Sequence, residues 1–457
     1  MRATVIAGWI LVVVAAAAQA RVSEEEAARL GVDLTPRGAE RAGNADGTIP
    51  PWDGSVLGLP PGLAWAGPGH VHPDPFAGEQ PLFSITAANA QQYAERLSDG
   101  QLALFRTYPD SYRMDIYPTH RRFAYPDEAG VRTRRNALHA ELFNGDDGVN
   151  GFAGGVPFPI PVTGAEPIWN SRLNSPSAQQ EGLADDVAVY ANGNRSLRRG
   201  QTIQKTLFSD PALPEDADFK SVSPYSALVW FEVQEPVRDK GTNTLILEPL
   251  DYSETPRTVW RYLPGSRRVR QAPNVGYDTP DGPGGILTID DTLGFNGAMD
   301  RFEWNIVGRR EIYVPFHSYR FDDPGLSEDQ LLTVHHPNPD YMRYELRRVW
   351  VVEATLRPGF RHIYGKRRFY VEEDGWNIAI TENYDGRGEL WRTVLINSIY
   401  AYDVMGYEKR SQIFHDLRAG IYNATRLTNW TAPWNFSAPQ RGDDFFTPAN
   451  LRRAGTR

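Results

Sequence analysis

The sequence predicts an α+β, mainly β chain: a large curved antiparallel sheet in the form of an incomplete barrel, with an N-terminal arm and a few helices. Three observations carry this reading. Between 344 and 356 the even positions place Tyr344, Leu346, Trp350, Val352, Ala354 and Leu356 on one face, interrupted by Arg348, while Glu345, Arg347, Glu353 and Thr355 fall on the other. Further alternating runs at 362–371, 376–384 and 390–402 follow, with turns at Asp374-Gly375 and Asp385-Gly386-Arg387-Gly388. Helical patterns, by contrast, are segregated before residue 144. At about 3.3 Å per residue the first of these strands spans roughly 43 Å, and strands that long twist, so the sheet curves and presents a concave face.

The elements follow in chain order. Residues 1–20 combine Arg2, an apolar run over about 6–18 and the small-residue site Ala18-Gln19-Ala20, the pattern of a secretory signal peptide cleaved after Ala20. The apolar run falls short of the ~20 residues of a membrane span, and the mature chain offers no transmembrane segment. Ser23 to Glu26 forms a capping box that opens a short helix ending at Gly31. The Pro- and Gly-rich stretch 34–81 predicts an extended arm lying on a surface. Thr86 is placed to cap a helix over 87–97, a second helical segment covers 101–105, and Pro126 opens a third that runs to about 143. Strands follow at 187–190, 201–208, 226–233 and 245–247, then a hairpin of 258–263 and 267–271 around Pro264-Gly265, and a strand at 302–313. A final pair at 411–417 and 420–426 closes the meander. This divides the chain into a signal peptide (1–20), an arm with short helices (21–160), a β half-barrel (161–430) and a C-terminal tail (431–457).

Composition narrows the chemistry. The 457 residues contain no cysteine, which excludes disulfides, thiolate metal sites, a cysteine nucleophile and a lipid anchor on a cysteine after the leader. An exported chain of this size without cysteine fits a Gram-negative periplasm. A formal net charge of −9 argues against nucleic acid as a partner. No nucleophile-elbow, zinc-helix or phosphate-loop motif occurs, so no catalytic residue, metal ligand or cofactor is expected and the chain reads as non-enzymatic. The acid pairs Asp185-Asp186, Asp290-Asp291, Glu372-Glu373 and Asp443-Asp444 read as solvated, turn-flanking groups, because neighbours on a strand face opposite sides. The segment 144–151 has the composition of a calcium loop but carries Gly155 where the bidentate acid belongs, and His335-His336 lacks a second ligand pair. The stronger signal is aromatic: 12 Trp, 21 Tyr and 20 Phe. Trp260 with Tyr262, Trp350 with Val352, and Trp376 with Ile378 recur on single strand faces, either as core or as the apolar lining of a ligand groove, and these six are the candidate ligand contacts. Arg267, Arg268 and Arg270, like Lys366, Arg367 and Arg368, read as solvated faces or as contacts for an anionic head group or an acidic partner.

Beyond these patterns, residues 34–50, 72–78, 267–274, 295–301 and 347–355 resemble, in order, the domain-of-unknown-function family 1329 of exported bacterial proteins. The resemblance implies a fold related to LolA and LolB, an incomplete barrel whose concave face is plugged by helices and accepts acyl chains. It also implies a setting beside an inner-membrane exporter of the resistance-nodulation-division type or an outer-membrane protein. LolA and LolB are much shorter, and most of 21–160 has no counterpart in them. The expected function is a periplasmic carrier or chaperone for a lipid or other hydrophobic small molecule; the alternative is a non-catalytic adaptor for an envelope exporter.

Overall fold

The computed structural model describes residues 22–272 and 276–455; the expected signal peptide lies outside the described residues. Fifteen strands form one sheet built from two meanders. The first runs through Gln179–Val189, Arg195–Thr206, Tyr225–Glu235, Asn243–Pro249, Thr258–Leu263 and Arg268–Gln271. The second runs through Tyr344–Leu356, Lys366–Glu372, Ile378–Tyr384, Leu390–Ala401, Gly406–Asp416 and Ile421–Leu427. They join where Ile421–Leu427 pairs antiparallel with Gln179–Val189, Asn423 opposite Ala188. The final hairpin therefore continues into the first meander instead of ending the sheet. Phe302–Pro315 pairs along the whole of Tyr344–Leu356, with a bulge between Ile306 and Gly308 that bends the strand. At the far edge Ile116 makes one parallel pairing with Tyr344, and Met114–Ile116 carries Phe83–Ile85 beyond it. The two end strands do not pair with each other, so the sheet stays an open, mainly antiparallel half-barrel.

The expected division at 160 is not followed by the sheet, since Phe83–Ile85 and Met114–Ile116 belong to it. The C-terminal residues are likewise integrated: Asn435 bridges to Glu181, and Pro448–Gly455 forms a helix. Among the expected helices, 87–97 forms only a 3-10 helix over Ala90–Arg96, and the third stops at His139, before a small hairpin of Glu141–Phe143 and Gly148–Asn150. The reversal at Asn144 and Asp146 uses positive φ, which Asn and Asp tolerate. No helix among the described residues is long and apolar enough to cross a membrane.

Both faces of Tyr344–Leu356 are covered. Val349 and Val351 pack with Ile380, Leu395 and Ile413; Val352 and Ala354 pack with Phe369, Trp376, Ile378 and Val394. The polar positions of the alternation are buried too, and this corrects the reading of the acid pairs as solvated. Glu345 and Arg347 are enclosed, Arg347 binding Glu372 at 2.8 Å, while Arg121 binds Asp374 at 2.8 Å. Arg367, fully buried, holds Asp290 at 3.0 Å and Asp291 at 2.6 Å. Arg199 holds Asp185 at 2.6 Å. Asp443-Asp444 alone among the four pairs is exposed at both positions. The reason is that guanidinium forks from neighbouring strands supply the bonds water would have given, which makes enclosed carboxylates tolerable.

Candidate ligand cavity

The first meander curves around a cavity of about 660 Å³. Strand parity decides which side chains reach it. In Tyr225–Glu235, Ala227, Val229, Phe231 and Val233 face the cavity, whereas Leu228 and Trp230 pack on the opposite side of the sheet with Leu451. Ile246 and Val259 continue the apolar wall on the next two strands, and Leu263 is exposed at its rim. Gly200 makes room for the Phe231 ring, because a Cβ there would lie 2.3 Å from it. Leu287, Leu293 and Phe295, from the segment between the meanders, cover the cavity from the other side.

Its charged groups fall into two sets. In one set Arg198 bridges Asp186 at 2.7 Å and Asp281 at 2.8 Å, and Arg257 donates to Glu248 at 2.8 Å and to the Asn296 carbonyl at 2.8 Å. The other set is Arg172, Glu408, Lys409 and Arg426, where Arg172 donates to the same Tyr252 hydroxyl that Arg257 reaches and the Arg426 amide donates to Asp186. Lys409 Nζ donates to the Ser171 carbonyl at 2.7 Å, Ser175 Oγ donates to Glu408 at 2.7 Å, and the Arg426 guanidinium lies 4.2 Å from the Trp434 ring centre. Burial penalises charge here: it pushes the Glu408 carboxyl up to about 7, the Lys409 ammonium down to about 7 and Arg426 down to about 10.

None of the six residues nominated from sequence lines this cavity. Trp260 and Tyr262 occupy the outer face of their strand beneath Pro448–Gly455, and Tyr262 donates to the Gly455 carbonyl at 2.7 Å. Trp350 is half-buried and stacks on Trp376 with ring centres 6.4 Å apart, and Trp376, fully enclosed, donates to the Arg37 carbonyl at 2.8 Å. Val352 and Ile378 are buried in the same core. The cavity wall was visible as the i, i+2, i+4 series Val229, Phe231, Val233, yet pattern alone does not say which face of a strand is concave. Of the basic clusters, Arg267, Arg268 and Arg270 are exposed, whereas Arg367 is committed to Asp290 and Asp291. Among the described residues no group of three His, Cys, Asp or Glu is placed to hold a metal ion.

A second pocket, of about 420 Å³, lies between the arm and the helix Asp127–His139, lined by Leu30, Trp52, Phe123 and Val131 with Arg37.

The profile of the family described as "Protein of unknown function (DUF1329)" matches residues 84–452. The chain is 40% identical over 450 residues to the uncharacterized protein PA3922 of Pseudomonas aeruginosa, covering 96% of this chain and 95% of that protein. Among solved structures it is similar to a DUF1329 family protein from Desulfovibrio piger (13% identity, TM-score 0.42, 63% of this chain and 97% of that one). It is also similar to a putative outer membrane lipoprotein-sorting protein domain from Vibrio parahaemolyticus (14%, TM-score 0.40, 60% and 92%). A LolA superfamily protein from Nitrosomonas europaea gives 13% identity and a TM-score of 0.37 over 63% of this chain and 98% of that one.

Proposed function

The chain belongs to the DUF1329 family of proteins of unknown function, and within it we propose that this member is a periplasmic carrier that shields an apolar or amphipathic small molecule in the hollow of its first meander. The observation that carries the reading is the cavity: about 660 Å³ falls within the ~300–1,000 Å³ usual for small-molecule sites, and apolar side chains on adjacent strands share its wall. Covering roughly 300 Å² of ligand surface at about 25 cal/mol per Å² gives roughly 7 kcal/mol before ordering costs, enough for reversible handover. The export leader read from the sequence supports the compartment. Organic extraction and mass spectrometry of protein purified from the periplasm should return one recurrent apolar class in near-stoichiometric amount. Protein that comes out empty and takes up no long-chain probe in solution would overturn the carrier reading.

A second reading, an adaptor docking through the arm, is favoured by one observation: Leu57, Leu59 and Leu82 are exposed along or beside it.

A further inference from the structure

Three cations line the cavity without a carboxylate at ion-pair distance among the described residues. Arg172 lies 4.0 Å from the Trp169 ring centre and donates to Tyr252 Oη at 2.8 Å, and its Nη1 is buried without an acceptor among the described residues. Arg426 rests on Trp434, and its Nε is likewise buried without an acceptor among the described residues. Lys409, 9% exposed, uses one of its three donors, on the Ser171 carbonyl. Arg172 and Arg426 both stand close enough to Lys409 to disfavour its charged form, after burial itself. The neighbouring acids are already engaged, Asp186 and Asp281 by Arg198 and Glu248 by Arg257. Glu408, next to Lys409, is pushed by burial toward its neutral form. Enclosing cations without a counter-charge is unfavourable, and aromatic faces offset only part of that. A group with several acceptor oxygens and at least one negative charge would satisfy the free donors together. The same cavity carries the apolar side chains of Val229, Phe231, Val233 and Val259, which suit a hydrocarbon.

We propose that the cavity takes an anionic amphiphile, an apolar body bearing a phosphate, sulfate or carboxylate, with the anionic group among Arg172, Lys409 and Arg426 and the apolar body along the wall of the first meander. This rests on the carrier reading and adds the ligand's charge and orientation to it.

The test compares tetradecyl phosphate with 1-tetradecanol by isothermal titration on the full mature chain, with inorganic phosphate as competitor. The expected result is a preference of about tenfold or more for the phosphate ester, an advantage of about 1.4 kcal/mol or more. Lys409→Met and Arg426→Met should each bring the ratio of the two affinities toward one. Equal affinity for both probes in the unmodified chain would overturn the anionic assignment and leave the carrier reading standing. Failure of both to bind would overturn the carrier reading itself. Displacement of the ester by millimolar inorganic phosphate, with no contribution from the chain, would assign the cations to a free anion and overturn the amphiphile. The probe comparison is made on the unmodified chain, so it decides even where a variant fails to fold.

Discussion

At the scale of single residues, His415 shows what enclosure does to a titratable group. It sits on Gly406–Asp416 opposite Thr393 and Tyr422, its ring stacks on Tyr422 with centres 5.8 Å apart, and neither ring nitrogen has a hydrogen-bond partner among the described residues. Burial pushes its pKa down to about 3 from an ordinary 6.5. Between those values the unfolded chain takes up a proton that the folded chain refuses. This contribution is therefore complete above pH 6.5 and is lost as pH falls toward 3, at up to about 1.4 kcal/mol per pH unit. In urea titrations at pH 7 and pH 4.5, a His415→Gln variant should lose less stability on acidification than the parent chain, by up to about 3 kcal/mol. Parallel pH profiles for the two chains would mean that the buried ring is not the group that titrates.

At the scale of elements, the helix Pro448–Gly455 decides which side of the first meander is the outside. Leu451 is fully enclosed against Tyr262 and Phe446, so the aromatic face of Thr258–Leu263 is covered by residues close to the C-terminus. Leu451→Ala should cost about 2–3 kcal/mol, toward the low end for an enclosed leucine because the cluster is peripheral. It should leave the affinity for tetradecyl phosphate unchanged. A fall in affinity matching that of Phe231→Ala would instead place the ligand on the outer face. This is also where the sequence stopped being legible. The bounds Thr258–Leu263 and Tyr344–Leu356 can be read to the residue, because period-two alternation flanked by turn residues leaves few other registers. What covers each face cannot be read this way, since Tyr262 meets a partner 193 positions away. Polar positions mislead for a related reason: Glu345 and Arg347 look solvent-facing in a period-two pattern, and it takes Glu372 and His317 from other segments, with Arg343 just before the strand, to make their burial possible.

At the scale of the whole molecule, the arm over 34–81 is part of the polar interior rather than an appendage. Arg121 donates to the carbonyls of Glu40, Ala42 and Pro50, and Arg348 donates to Ala42 at 2.8 Å. Tyr400 Oη accepts from the Gly58 amide at 3.1 Å, and Tyr402 donates to the Pro73 carbonyl at 2.8 Å. Removing the arm would leave enclosed guanidinium and phenol groups without these hydrogen-bond partners, and each buried donor or acceptor left unsatisfied costs about 1–3 kcal/mol. Deletion of 34–81 is therefore expected to lower the melting temperature sharply or abolish folding, so loss of a partner in that variant would say nothing about docking. Leu57 and Leu59 offer a cleaner probe because they are 52% and 38% exposed. A Leu57→Asp, Leu59→Asp double variant should stay within about 1 kcal/mol of the parent in thermal melts and retain tetradecyl phosphate binding. If the arm docks an exporter, the same variant loses co-purification with envelope proteins while its cavity stays functional. If co-purification persists and a chain lacking 34–81 melts like the parent, then the arm is neither docking surface nor structural closure, and the arginine contacts above contribute little to the fold.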